Sequence, residues 1–297
     1  MKPAASLTLP ALSGRQLVGL LMVLAGAAYG LLQLLFMLQQ NSLIRHAFYA
    51  GMVAAVATAA GALPALFMRR LSQKLHDVML GFGAGVMLAA CMFSLIVPAL
   101  ALITASGASA WHSSGSVALA ILLGAAFMLL LERLVPHQHF IKDEDRLRGQ
   151  TLRRSWLFVF AIALHNIPEG LAIGASFAGG DAGTATALAT GISVQDIPEG
   201  LVVAMALLAV GYSRALAVSI AILSGLTEPV MAIVGAAVLG ESSLLLPWGL
   251  ALAAGAMLFV ISHEMIPESH RQGHELAATN GLMLGFVLML LLDTALS

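Results

Sequence analysis

The chain has 297 residues, of which 60% are hydrophobic and only 10% charged, with a mean hydropathy of +0.94. Soluble domains carry about 25% charged residues, so this composition is that of a polytopic membrane protein with little soluble mass. The net charge of -1 comes with no basic stripe for nucleic acid and no G-x-x-x-x-G-K-[ST] loop for an ATP-driven motor, and the single Cys91 excludes an intrachain disulfide or a thiolate cluster.

A spanning helix needs about 20 predominantly apolar residues. In chain order such runs fall at 16–38, 47–68, 77–104, 117–135, 155–178, 184–210, 214–239, 244–268 and 280–296. The first has Lys2 and Arg15 before it and "AGA" at 25–27, like a signal peptide. Its apolar stretch continues through "LLQLLFML" to Leu38, too long for an ordinary signal core, and it is read as a span. Alternating across nine spans places 13 of the 14 basic residues on one side and Arg45 alone on the other. The basic side is cytoplasmic, so the N-terminus is inside and the C-terminus outside. The expectation is an all-α, multi-pass protein of the cell inner (plasma) membrane, with 1–297 forming one transmembrane domain. The one sizeable loop, 136–154, is cytoplasmic. His137 and His139 in it are either weak metal-sensor ligands or ordinary solvated residues.

Four carboxylates fall near span centres: Glu169, Asp196, Glu199 and Glu228. Each charge there costs roughly 2.5–3.5 kcal/mol on insertion scales, on the order of 10 kcal/mol together. No Lys or Arg lies at that depth, so protonation or a bound cation must compensate. Three of the carboxylates sit in paired hexapeptides, "HNIPEG" at 165–170 and "QDIPEG" at 195–200. His165 and Glu169 are four apart on one helical face, with Asn166 about 100° round the axis. Gln195, Asp196 and Glu199 repeat that pattern on the returning span, and Glu228 reaches similar depth on the next. Imidazole, amides and carboxylates together suit a divalent cation. Pro168 and Pro198 free the carbonyls of Leu164 and Val194, as befits helices that line a cavity.

A lower set, Asp77, His263 and Glu264, reads either as a cytoplasmic exit site or as interfacial anchoring of helix ends. Met87 offers a soft thioether or, equally, apolar packing. Glu132 and Asp293, near span ends, read as structural.

With "SGLTEP" at 224–229, the paired hexapeptides resemble the signature helices of the ZIP family of divalent-metal transporters, over residues 47–296. The resemblance implies eight core helices plus an extra N-terminal span, and a binuclear metal centre. It implies His165, Glu169, Gln195 and Glu199, with Met87, at one metal. Asn166, Asp196 and Glu228 would hold the second, with Glu169 and Glu199 bridging. It further implies uptake of zinc, and of cadmium, iron or manganese, into the cytoplasm. An elevator-like movement in the lipid bilayer, commonly as a homodimer and with no organic cofactor, completes the expectation. One departure is Gln195, where many relatives carry His: an amide oxygen is a harder and weaker ligand. Two rival readings are an intramembrane zinc metalloenzyme and a proton-coupled transporter of an organic solute. "HEMIPE" at 263–268 invites the first but lacks the second His of H-E-x-x-H. The second leaves the His, Asn and Gln beside the carboxylates unexplained.

Overall fold

Inside a bilayer no water satisfies backbone N–H and C=O groups, so long apolar runs fold into helices that satisfy their own. The computed structural model describes residues 14–68, 70–134, 164–179, 181–209 and 211–296, and no strand occurs among them. These residues form nine helical segments, one for each expected span. They are α1 (Gly14–Gln40), α2 (Ser42–Ala62, tightening to a 3₁₀ turn at Leu63–Leu66), α3 (Gln73–Ala105), α4 (Ala110–Leu134), α5 (described over 164–178), α6 (Ala182–Ala209), α7 (Arg214–Gly240), α8 (Leu246–Ser269) and α9 (Glu275–Leu296). All but α5 are long and apolar enough within the described residues to cross a membrane. His137 and His139 lie outside the described residues.

Local chemistry sets the boundaries. Asn41 caps α2 by accepting from the backbone N–H groups of Leu43 at 3.0 Å and Ile44 at 3.2 Å. Ser72 and Ser213 cap α3 and α7 in the same way, from the N–H groups of Leu75 and Leu216. Asp181 caps α6, accepting from the N–H groups of Gly183 and Thr184 and from the Thr184 hydroxyl. The Thr184 hydroxyl first, and then those N–H groups, hold the Asp181 carboxyl below its ordinary range. Such capping oxygens satisfy the first-turn donors that no helix can satisfy for itself.

Prolines shape the interiors. A proline cannot donate to the carbonyl four residues back and crowds it. In α3 and α8 the chain widens into a π-helical turn just before the proline: Cys91–Ile96 ahead of Pro98, and Ile261–Met265 ahead of Pro267. Such turns place unusual residues at functional positions, and these two carry Ser94, His263 and Glu264. In α7 the helix breaks at Leu226, between Arg214–Gly225 and Thr227–Gly240, just before Pro229.

The helices sort into two groups. In the first, α2 packs along α6 and α7, and α5 packs on α7. In the second, α3 packs along α9, α4 along α8, and α3 meets α8. Glycines let backbones meet inside each group. A methyl group on Gly61 would strike the carbonyl of Ile197, and one on Gly85 that of Leu282. Between the groups the glycines meet side chains: Gly191 faces Met289, Gly249 faces Leu239, and Gly83 faces Gln195. Helix α6 runs along this seam, touching α3 and α9. Helix α1 touches α2 and is otherwise almost wholly uncovered.

Candidate metal centre

The two hexapeptides meet on α5 and α6, and the break in α7 brings Glu228 to them. Glu169, Asp196 and Glu199 each offer a carboxylate oxygen within 4.8 Å of the others. Glu169, Asp196 and Glu228 are fully buried, as are Asn166 and Gln195. Between Arg154 and Arg271 the sequence holds one basic residue, Arg214. It sits at the start of α7, donating to the carbonyl of Leu66 at 3.0 Å. Among the described residues, the carboxylates therefore have no Lys or Arg side chain to neutralise them.

Two amides supply most of the hydrogen bonding. Gln195 Nε2 donates to Glu169 Oε1 and to Asp196 Oδ1, each at 2.6 Å. Asn166 Nδ2 donates to Glu228 Oε1 at 3.1 Å and to the Ser224 carbonyl at 3.2 Å. The helix break at Leu226 leaves that carbonyl accessible to a side chain. Thr58 of α2 adds a third neutral donor. Its hydroxyl lies 3.3 Å from Glu228 Oε1 and 3.3 Å from the carbonyl of Ala54. Five buried oxygens of the centre still lack a hydrogen-bond partner among the described residues: Asn166 Oδ1, Glu169 Oε2, Gln195 Oε1, Asp196 Oδ2 and Glu228 Oε2. Such groups are costly in a dry interior. A set of converging oxygens with one nearby imidazole suits a divalent cation of hard to borderline character.

The other expected ligands are placed differently. His165 Nε2 lies 2.6 Å from Glu264 Oε2, which reaches it from the π-helical turn of α8. His263, in the same turn, faces Glu132 Oε1 at 3.4 Å and stacks on Phe259. Asp77 is fully buried at the start of α3, where it accepts from Gln73 Nε2 at 2.9 Å and meets His274 Nδ1 at 2.9 Å and His76 Nδ1 at 3.3 Å. Asp77, His263 and Glu264 thus enter three separate pairings rather than one cluster. Asp77 fastens the turn before α9 to the start of α3, which is an anchoring arrangement. Met87 is fully buried in the apolar core shared by α3, α5, α6 and α8. Sequence reasoning missed Thr58 and the Ser224 carbonyl. A lone threonine in an apolar helix carries no spacing signal.

Comparison with known proteins gives the family. The family model described as ZIP Zinc transporter matches residues 141–293. The chain is 47% identical over 247 residues to "Zinc transporter GufA" of Myxococcus xanthus, covering 83% of this chain and 97% of that protein. It is 47% identical over 253 residues to "Zinc transporter ZIPB" of Bordetella bronchiseptica, covering 85% and 82%. "Zinc transporter ZIP11" of Homo sapiens is 31% identical over 321 residues, covering 80% and 94%. These are transporters rather than enzymes, which sets the metalloenzyme reading aside. The converging carboxylates lie within the matched segment, and by that match the chain belongs to the ZIP zinc transporter family.

Proposed function

We propose that this protein carries zinc into the cytoplasm through the cluster formed by Glu169, Asp196, Glu199 and Glu228, with cadmium, iron and manganese as further cargo. The observation that carries the reading is the close approach of Glu169, Asp196 and Glu199 with no Lys or Arg on the helices at that depth. The names of the relatives support zinc as the cargo.

Two metal positions account for the ligand set. His165, Glu169, Gln195 and Glu199, with Met87, would form the first; Asn166, Asp196 and Glu228 the second, bridged by Glu169 and Glu199. In this reading Glu264 serves His165 as the outer carboxylate that fixes ring orientation and tautomer, a common partner of metal-binding imidazoles. The N-terminus is cytoplasmic, the host is the inner membrane, and the working unit is a homodimer. Movement is of the elevator kind: α2, α5, α6 and α7 slide as one body against α3, α4, α8 and α9. The close glycine-to-backbone contacts, such as Gly61 with Ile197 and Gly85 with Leu282, fall inside the groups, whereas Gly191 and Gly249 meet only side chains across the seam, which supports that division. Side chains can slide and repack where interlocked backbones cannot.

Purified protein in liposomes enclosing a zinc-sensitive dye should fill them with zinc in the absence of ATP. Vesicles that bind zinc externally but never fill would refute transport. Thr58 tests the site more finely. Thr58→Val keeps the branched shape that packs on Gly225 but deletes the donor to Glu228. The zinc concentration for half-maximal uptake should rise about threefold to tenfold, the scale of one ordinary hydrogen bond. Thr58→Ser should restore it.

A further inference from the structure

Gln195 has two opposite chemical faces, and the structure shows which one meets the carboxylates. Its nitrogen donates one hydrogen to Glu169 Oε1 and the other to Asp196 Oδ1. With both carboxyl groups ionised, its oxygen in that place would bring three acceptors together with no hydrogen among them, so the hydrogen-bond network of the ionised site assigns the orientation. Oε1 is thereby left buried without a partner among the described residues. It faces Gly83 of α3, where even a Cβ would come within 3.1 Å. The lone pair of an amide nitrogen is delocalised into the carbonyl, so the NH2 group is no metal ligand. Bridging the carboxylates by nitrogen and holding a cation by oxygen therefore exclude one another. A half-turn about the last side-chain bond exchanges the two, and that torsion is broad and soft.

We propose that Gln195 is a reversible stand-in for the transported cation: its NH2 clamps Glu169 to Asp196 while the carrier returns without cargo, and its amide turns over to receive cargo through Oε1. The inference rests on the carrier reading above and deepens it. A carrier crosses the membrane loaded in one direction and unloaded in the other. On the unloaded crossing the carboxylates crowd together with no Lys or Arg at their depth. A neutral donor eases that crowding without a positive charge that would then compete with the cation. A neutral histidine in its place would donate a single hydrogen, so it could clamp one carboxylate and not two. Asn166 shares the orientation but not the clamp: its Nδ2 donates to one carboxylate, Glu228, and to the Ser224 carbonyl, with Oδ1 unpartnered.

Two transport modes separate this role from that of a plain ligand. Equilibrium exchange of radioactive zinc, with equal zinc on both sides, uses loaded crossings alone. Net uptake into a zinc-free lumen also needs the unloaded return. Gln195→Met keeps the length and a soft ligand atom but has no donor, and Gln195→Glu keeps the shape and adds a ligand oxygen. In both, the ratio of net uptake to exchange should fall by about tenfold, the scale of a lost hydrogen bond to a charged group. A ratio equal to that of the unaltered protein, with both rates lowered together, would overturn the inference while leaving transport intact. Absence of zinc movement in the unaltered protein would instead overturn the transport reading. The turnover itself is open to test without any variant. With ¹³C-labelled glutamine side chains, the infrared difference between zinc-loaded and chelator-treated protein should show one glutamine carbonyl band shifted to lower frequency. A difference spectrum without any glutamine band would overturn the inference.

Discussion

Replacing Glu169 or Glu199 with alanine should abolish zinc uptake in proteoliposomes, whereas Asp181→Ala should leave it running. The contrast follows from position rather than charge. Glu169 is fully buried, holds Gln195 through Oε1, and keeps Oε2 free for a cation. Glu199 completes the group of three converging carboxylates. Loss of an outer partner of a metal ligand costs about 10–100-fold in affinity or activity, so loss of a ligand itself should exceed about a hundredfold. Asp181 is an exposed helix cap, and its removal weakens the first turn of α6 without touching the centre. Glu169→Gln keeps shape and removes charge, and should fail almost as completely as Glu169→Ala. Initial rates of dye-reported uptake at saturating zinc decide the matter. Equal rates in the Glu169, Glu199 and Asp181 variants would mean that the carboxylate cluster is not the route.

Much of this was legible in the sequence because two of the signals are strong. Apolar runs of membrane length located all nine helices, since the bilayer leaves such segments no other structure. The repeated I-P-E-G placed Glu169 and Glu199 on facing helices at one depth, where the structure brings them together. What was not legible depends on relations between helices. His165 meets Glu264 because α5 of one group abuts the π-helical turn of α8 in the other, and no spacing in the chain encodes that contact. Asp77 was grouped with His263 by depth alone. Its partners His76, Gln73 and His274 come from its own first turn and from the turn before α9. Thr58 reaches Glu228 because Gly200 lets α6 close on α2 and Gly225 leaves room for the threonine side chain. Glycine is common in spanning helices, so its presence did not mark those contacts. The division into two groups rests on which atoms face each glycine, which a sequence does not display.

That division yields the second large effect. Gly191 on α6 faces Met289 on α9 across the seam, and a Cβ added at Gly191 would collide with the methionine sulfur. The pair Gly191→Cys and Met289→Cys relieves the collision, because the shorter side chain withdraws as the new one enters. It leaves two thiols facing each other from different groups. Cys91 is the chain's one native cysteine, and substituting it with alanine leaves the engineered pair as the only thiols an oxidant can couple. If α6 moves against α9 during each cycle, oxidation to the disulfide should reduce uptake to the level of protein-free liposomes, and dithiothreitol should restore it. A second pair lies within one group: Phe93 on α3 and Phe286 on α9, whose rings are 6.1 Å apart. Cross-linked after Phe93→Cys and Phe286→Cys, these positions should leave uptake close to that of the reduced protein, because their helices travel or stand still together. Full uptake with a complete cross-link between positions 191 and 289, read by mass shift after proteolysis, would show that zinc crosses without α6 moving along α9. The two cross-links differ in the side of the seam on which their partners lie, so a difference between them measures motion at the seam rather than a general effect of tethering helices.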